Sequence, residues 1–166
     1  MEIKDKKIFC DLDGVLANFS GYFYQLFNKD VDIIPDSELW NNIEKYGKSN
    51  FFAELPWMPD GKQLWSFIID NFLDVKILSA LGKSDKEDNF TSKGKLMWLN
   101  KNIPDLPKNK IRFVVNKHQK RYYAKPGFIL IDDTTSNIDE WNAAKGIGIL
   151  HKSSSDTIKV LEQYVY

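Results

Sequence analysis

The 166-residue chain has a single cysteine, Cys10, so no internal disulfide can form. That cysteine lies in an apolar run, where a small buried side chain is its expected role. Net charge is also missing, since 23 Lys and Arg face 23 Asp and Glu. A general attraction for nucleic acid or acidic lipid is therefore not expected, although local patches remain open. No apolar run is long enough to span a bilayer, and the start, MEIKDKKIFCDLDG, turns apolar for too short a stretch to serve as a signal peptide. These absences together imply a soluble chain in a reducing cytoplasm, without a membrane partner. Repeats, low-complexity tracts and Pro/Gly/Ser-rich linkers are lacking too. A chain of this length can bury a core without disulfides or a structural metal, so one compact domain is expected.

What is present is a recurring kind of segment. Short apolar runs ending at polar or small residues occur at Lys7 to Leu12, Asp74 to Ser79, Lys110 to Val115, Phe128 to Asp132 and Gly146 to Leu150. They read as buried strands of a parallel sheet. Amphipathic stretches lie between them. Gly61 to Phe72 places Leu64, Trp65, Ile68, Ile69 and Phe72 on one side, and Thr91 to Asn100 carries Leu96, Trp98 and Leu99. Two further helices are expected at Asn137 to Ala144, started by Ser136 or Asn137, and at Asp156 to Tyr164, started by Ser155 or Asp156. Strands alternating with helices predict an α/β layered fold with right-handed crossovers. From about Ala17 to Pro59 the alternation breaks into an aromatic-rich stretch, read as a small helical cap whose rings mostly form its own core. The expected division is an α/β core of residues 1–16 and 73–166, with 17–72 as the cap and its return helix.

In an open parallel sheet, ligands gather at the carboxyl ends of the strands. The first run ends on Asp11 and Asp13, the second on Ser79 and the fourth on Asp132 and Asp133. Four carboxylates brought together are costly unless a cation neutralises them, and Mg²⁺ suits such an oxygen-rich site. Each element has a plainer explanation alone. DLDG could belong to a calcium loop, but VLANF lacks the further oxygen ligands that such a loop needs. Asp132 and Asp133 could open a turn and cap a helix, and Ser79 could be a turn residue. Their joint occurrence at strand ends, in this order, carries the argument.

These residues resemble the haloacid dehalogenase (HAD) superfamily of phosphohydrolases. FCDLDGVLANF is similar to its first motif, VKILSA to its second and FILIDD to its last. VLANF, NFFAELPWMPDGKQLWSFI and LIDDTTSNIDEW further resemble the 5'(3')-deoxyribonucleotidase group, and the likeness covers nearly the whole chain. It implies a Rossmann-like parallel sheet flanked by helices, with a small cap inserted after the first strand. By this resemblance Asp11 is the nucleophile and Asp13 the general acid and base, while Ser79 donates to a phosphoryl oxygen. Asp11, the backbone carbonyl of Asp13, and Asp133 would hold Mg²⁺, with Asp132 in support. The fixed lysine is sought among Lys117, Lys120 and Lys125, and Lys120 is chosen.

Two positions depart from the group's pattern: His118 stands where relatives often carry arginine, and Ala80 where they often carry a hydroxyl or polar residue. Both are kept as substrate-binding candidates, together with Phe19, Phe23, Phe52 and Trp57 from the cap. The expected activity is Mg²⁺-dependent hydrolysis of a small phosphate substrate, with a nucleoside monophosphate favoured. The alternatives are another small phosphate, a nucleic-acid end, or a binding module without turnover. Exposed aromatics on the cap would permit a homodimer.

Overall fold

Each apolar run forms a strand. The computed structural model describes residues 6–82 and 90–165, so residues 1–5 of the first core segment and Tyr166 lie outside the described residues. The strands are β1 (Lys7–Cys10), β2 (Asp74–Ala80), β3 (Ile111–Val114), β4 (Phe128–Asp132) and β5 (Ile147–Leu150). All pair in parallel, in the order β3-β2-β1-β4-β5. Ile8, Phe9 and Cys10 of the central strand are at most 2% exposed, as expected for a strand covered on both faces.

This order decides where a site can form. The chain works outward from β1 through β2 to β3, then crosses back to lay β4 on the other side of β1. Cys10 pairs with Ile131, and Asp11 N–H donates to the Ile131 carbonyl at 2.9 Å. Asp11 and Asp132 therefore emerge side by side where the strand order reverses, which is the crevice used by open α/β sheets.

The helices are α1 (Phe19–Phe27), α2 (Asp36–Tyr46), α3 (Ser49–Ala53), α4 (Gly61–Asn71), α5 (Phe90–Asn102), α6 (Thr135–Ala143) and α7 (Ser154–Glu162). Two helical faces differ from the predicted ones. Ile69 is 49% exposed and Leu96 36% exposed, because each sits beside the buried stripe rather than on it. The α4 stripe runs through Leu64, Trp65 and Ile68, and the α5 stripe through Thr91, Lys95, Trp98 and Leu99.

The helix starts differ as well. Asp132 Oδ1 accepts from Thr134 N–H at 2.9 Å, so the turn forms early and Thr134 precedes α6, rather than Ser136 or Asn137. Ser153 caps α7 by accepting from Asp156 N–H at 3.1 Å, in place of Ser155 or Asp156.

The insertion after β1 is helical, and its two ends clasp each other. Asn18 N–H donates to the Pro56 carbonyl at 2.8 Å, and Met58 N–H to that of Leu16 at 2.7 Å. α3 rests on α5 at Gly94, where a Cβ would lie 2.3 Å from the Ser49 carbonyl oxygen. Only glycine permits that approach. α4, the return helix, packs on α7, and Asp60 at its head takes both the N–H (2.7 Å) and the hydroxyl (2.8 Å) of Ser154. No helix of the described residues is long and apolar enough to cross a membrane.

Candidate active site

Asp11 follows the last paired residue of β1 and is 7% exposed. Its Oδ1 accepts from Leu12 N–H at 2.8 Å and from Lys120 Nζ at 3.0 Å. Lys120, 2% exposed, is carried inward by the 3₁₀ turn Lys117–Tyr123 and also reaches Asp132 Oδ2 at 2.6 Å. Asn116 starts that turn with a reciprocal capping box with Gln119. Of the three candidate lysines, Lys120 is thus placed between two carboxylates, Lys117 stands at the rim of the cavity, and Lys125 is exposed on the surface.

Asp132 is fully buried and occupied by protein donors, namely Lys120, Thr134 N–H and Asn137 Nδ2 at 3.0 Å. Asp133 instead reaches the cavity. Its carboxylate lies against the loop after β1, where Gly14 has φ +80° and a Cβ would come within 2.0 Å of Asp133 Oδ2. Glycine there serves both the left-handed turn and the space for that carboxylate. Carboxylate oxygens of Asp11, Asp132 and Asp133 all lie within 4.8 Å of one another.

Such crowding shows in the proton affinities. Burial pushes the Asp11 carboxyl up to about 7, with Lys120 opposing and Asp132, Asp133 and Asp13 adding to the rise. Asp133 is raised to about 6 by desolvation first and then by Asp132. Burial also raises the Cys10 thiol well above its usual value, in keeping with a packing role. Lys120 is pushed above the ordinary lysine range by Asp11 and Asp132, which outweigh its own burial. An all-oxygen set short of positive charge fits a hard divalent cation.

Sequence reasoning missed a second buried lysine. Lys95 on α5 is 1% exposed, and its Nζ donates to Ser79 Oγ at 2.8 Å and to the Ala80 carbonyl at 2.6 Å, and pairs with Asp13 Oδ2 at 2.8 Å. It lines the cavity, whereas Ser79, 1% exposed, lies beneath it and does not. The structure thus sets the Ser79 hydroxyl against Lys95, from which it accepts. One signal was available: Lys95 is four residues past Thr91 and three before Trp98, on an otherwise buried stripe. A lysine there needs buried oxygens.

The cavity has a volume of about 970 Å³. Phe19, Trp40 and Phe52 form its aromatic side, and Ala80 and His118 also line it. Two expected substrate contacts do not. Phe23 is completely buried among Phe19, Phe27 and Phe51 within the cap. Trp57 packs tilted against Trp98, with ring centroids 4.9 Å apart, and donates to Asn102 Oδ1 at 2.9 Å, so it ties the insertion to α5 instead. Trp40 takes the place on the wall, with its ring set against Gly82. Nothing in the spacing of the aromatics marked it, because a cap folded from four segments chooses its inward rings in three dimensions.

A parallel sheet with acids at the ends of β1 and β4, one buried lysine bridging Asp11 and Asp132, a second on Asp13 and Ser79, and a helical insertion after β1 defines a phosphomonoester hydrolase of the HAD superfamily. More narrowly, the chain belongs to the family described as 5' nucleotidase, deoxy (pyrimidine), cytosolic type C protein, whose model matches residues 5–161. Solved structures repeat the fold at low identity. A hydrolase from Streptococcus pneumoniae TIGR4 is 13% identical with a TM-score of 0.52, over 96% of this chain and 99% of that one. A HAD-superfamily hydrolase from Ehrlichia chaffeensis is 14% identical with a TM-score of 0.54, over 96% and 97%. A HAD family enzyme from Bacteroides thetaiotaomicron, in complex with magnesium and inorganic phosphate, is 14% identical with a TM-score of 0.51, over 89% and 94%. Comparison with curated proteins finds no match.

Proposed function

We propose that this protein hydrolyses nucleoside monophosphates, deoxyribonucleotides among them, through an aspartyl-phosphate formed on Asp11. The observation that carries the reading is one cavity lined both by the charged groups Asp11, Lys95, Lys120 and Asp133 and by the rings of Phe19, Trp40 and Phe52. A phosphate suits the first and the flat face of a base the second. The family's description and the magnesium and phosphate complex of the Bacteroides enzyme support the same assignment.

In the first step Asp11 attacks phosphorus and the ester P–O bond breaks. Oδ1 of Asp11 is held by Leu12 N–H and Lys120, which leaves Oδ2 for the attack. The leaving oxygen takes a proton from Asp13, whose Oδ1 is buried without a hydrogen-bond partner among the described residues while Oδ2 is held by Lys95. Asp13 then removes a proton from water, the oxygen of that water bonds to phosphorus, and the Asp11–phosphate bond breaks to release inorganic phosphate. Lys95 and Lys120 place fixed positive charge around the phosphoryl oxygens. Ser79 orients Lys95.

Mg²⁺ is the proposed cofactor, held by the carboxylates of Asp11 and Asp133 and the backbone carbonyl of Asp13, with Asp132 anchoring Lys120 beside them. Bound there, it would neutralise phosphoryl charge. Asp11 and Asp133 bind protons more tightly in the metal-free folded protein than in the unfolded chain, where a carboxyl titrates near about 4. The folded state therefore carries the extra protons, and their contribution to stability fades as pH rises through about 6 to 7. The buried His151, held below the ordinary histidine range by desolvation, acts oppositely, but one group stands against two. Thermal melts in chelator should give a lower midpoint at pH 8 than at pH 6. Added Mg²⁺ should raise the midpoint more at pH 8, where protons no longer compete for the carboxylates. A gain that is larger at pH 6 would contradict this ligand set.

The cytoplasm is the proposed location, supported by the word cytosolic in the family's description. The deciding experiment is turnover with Mg²⁺ across nucleoside monophosphates, sugar phosphates and phosphorylated oligonucleotide ends. Release from sugar phosphates alone would reject the nucleotide assignment. Activity confined to oligonucleotide ends and lost in modest salt would favour end processing.

A further inference from the structure

The sheet face beneath α6 is apolar only in its carboxyl half, where Phe9, Leu78, Val114 and Leu130 are buried in one cluster with Ile138 and Trp141. Lys7 stands in register with Asp74, Phe9 with Lys76 and Leu78 with Arg112, and residues two apart on a strand share a face. Lys7, Asp74, Lys76 and Arg112 therefore occupy the amino half of that same face. Lys110, just before β3, reaches it too. Its Nζ lies 2.5 Å from Asp74 Oδ1, while those of Lys7 and Lys76 stand 3.3 and 3.9 Å from Oδ2. Arg112 donates to the Ile111 carbonyl at 2.8 Å and pairs with no carboxylate among the described residues.

Four cations thus gather about one carboxylate, at the end of the sheet opposite Asp11. In a chain without net charge, this excess is local. Burial holds Lys76 below the ordinary lysine range; Asp74 opposes the fall, and Lys7, Lys110 and Arg112 add to it. Basic residues on an edge strand commonly block pairing with another sheet, which would account for Arg112. Lys7, however, lies on the central strand and Lys76 on the strand beside it, where no edge needs protection. Ion pairing does not account for them either, since one lysine satisfies Asp74 and each further cation repels the first. The Lys76 side chain is only 19% exposed, so water relieves that repulsion poorly.

We propose that this cluster binds a compact polyphosphate chain, free or as the triphosphate of a nucleotide, at a site separate from the cavity. Compactness follows from the geometry. Three ammonium groups lie within 3.9 Å of one carboxylate, so a matching anion must concentrate its charge in a small space. A triphosphate places several negative charges on adjacent groups and matches the cations that Asp74 leaves over. Arg112 brings a planar fork suited to two phosphate oxygens, and the lysines bring point charges. None of the four cations lines the cavity, so occupancy does not compete with the proposed substrate. The assignment stands whether or not the cavity hydrolyses nucleotides.

Calorimetric titration of metal-stripped protein with inorganic tripolyphosphate, in chelator-free buffer, tests the site with no metal to draw the anion to the cavity. The unaltered protein should bind. Lys76→Met, which keeps an apolar stem beside the Phe9 ring, and Arg112→Gln should each bind about tenfold more weakly. Asp74→Asn, with one opposing charge fewer, should bind about threefold more tightly or better, a gain that an unfolded variant cannot give. ATP should bind at least as tightly as tripolyphosphate: equal affinity assigns the phosphates alone, and tighter binding adds a contact to the nucleoside. Absence of binding by the unaltered protein would overturn the proposal, as would affinity that Lys76→Met and Arg112→Gln leave unchanged. Loss of binding in Lys95→Met instead would place the anion in the cavity. A single-stranded oligonucleotide that binds more tightly than tripolyphosphate would replace the compact site with an extended nucleic-acid surface.

Discussion

Asp11→Asn should lower phosphate release by about ten-thousand-fold or more while leaving the fold intact, the scale seen when a catalytic nucleophile is removed. Asparagine has nearly the same shape and can still accept from Leu12 N–H, the local contact that holds this side chain beyond β1. What it lacks is the negative oxygen that would bond to phosphorus. Lys120 keeps Asp132 at 2.6 Å, so no buried cation is left without a partner. The variant also relieves the crowding that raises the Asp11 carboxyl to about 7. Its melting midpoint in chelator at pH 8 should equal or exceed that of the unaltered protein. Stopped release with a preserved melt is the expected pair of results; turnover within tenfold of the original would rule out Asp11 as the nucleophile.

Lys95→Met should reduce kcat/KM by about 100- to 1,000-fold, comparable to removing one fixed charge-stabilising donor from an active site. Methionine fills the same space on α5 beside Phe52, so the helix stripe survives. Three oxygens lose their cation: Ser79 Oγ, the Ala80 carbonyl and Asp13 Oδ2. Leaving such groups unpaired costs about 1–3 kcal/mol of stability, visible as a lower melt. Lys95→Arg should not restore activity, since a planar guanidinium cannot reproduce a single ammonium donating to three oxygens. If Lys95→Met folds and turns over within twofold of the original, Lys95 is a packing residue.

The expected effects separate the two residues. In the proposed mechanism Asp11 supplies the reacting atom and contributes unfavourable crowding to stability, so its loss should harm chemistry only. Lys95 compensates buried oxygens and faces the cavity, so its loss harms both. Ser79, which sequence order places at a strand end like the acids, adjoins Lys95 and accepts from it at 2.8 Å.

Much of this was legible in one dimension. Five apolar runs became five parallel strands because a strand buried on both faces must be apolar at successive positions, a pattern that needs no partner to be read. Asp11, Asp132 and Asp133 were legible for the same reason, since a strand's last residue is known once the strand is. Helix faces were read less well. Ile69 and Leu96 adjoin buried neighbours in sequence, and a 100° step puts them at the edge of the stripe. Local propensity placed the α6 and α7 caps too late, because Asp132 and Ser153 organise those turns from outside the predicted helices.

The sequence by itself determined the alternation of strand and helix and the acids at strand ends, because both follow from local period and burial. Tertiary structure decided that Lys95 joins Lys120 at the cavity and which of the cap's rings face it. Lys95 meets Ser79 across sixteen residues and Lys120 meets Asp132 across twelve. Trp40 faces the cavity while Phe23 and Trp57 do not. Those choices depend on how α5, the 117–123 turn and the cap pack over the sheet. No local pattern encodes distances between segments that become neighbours only when the chain has folded.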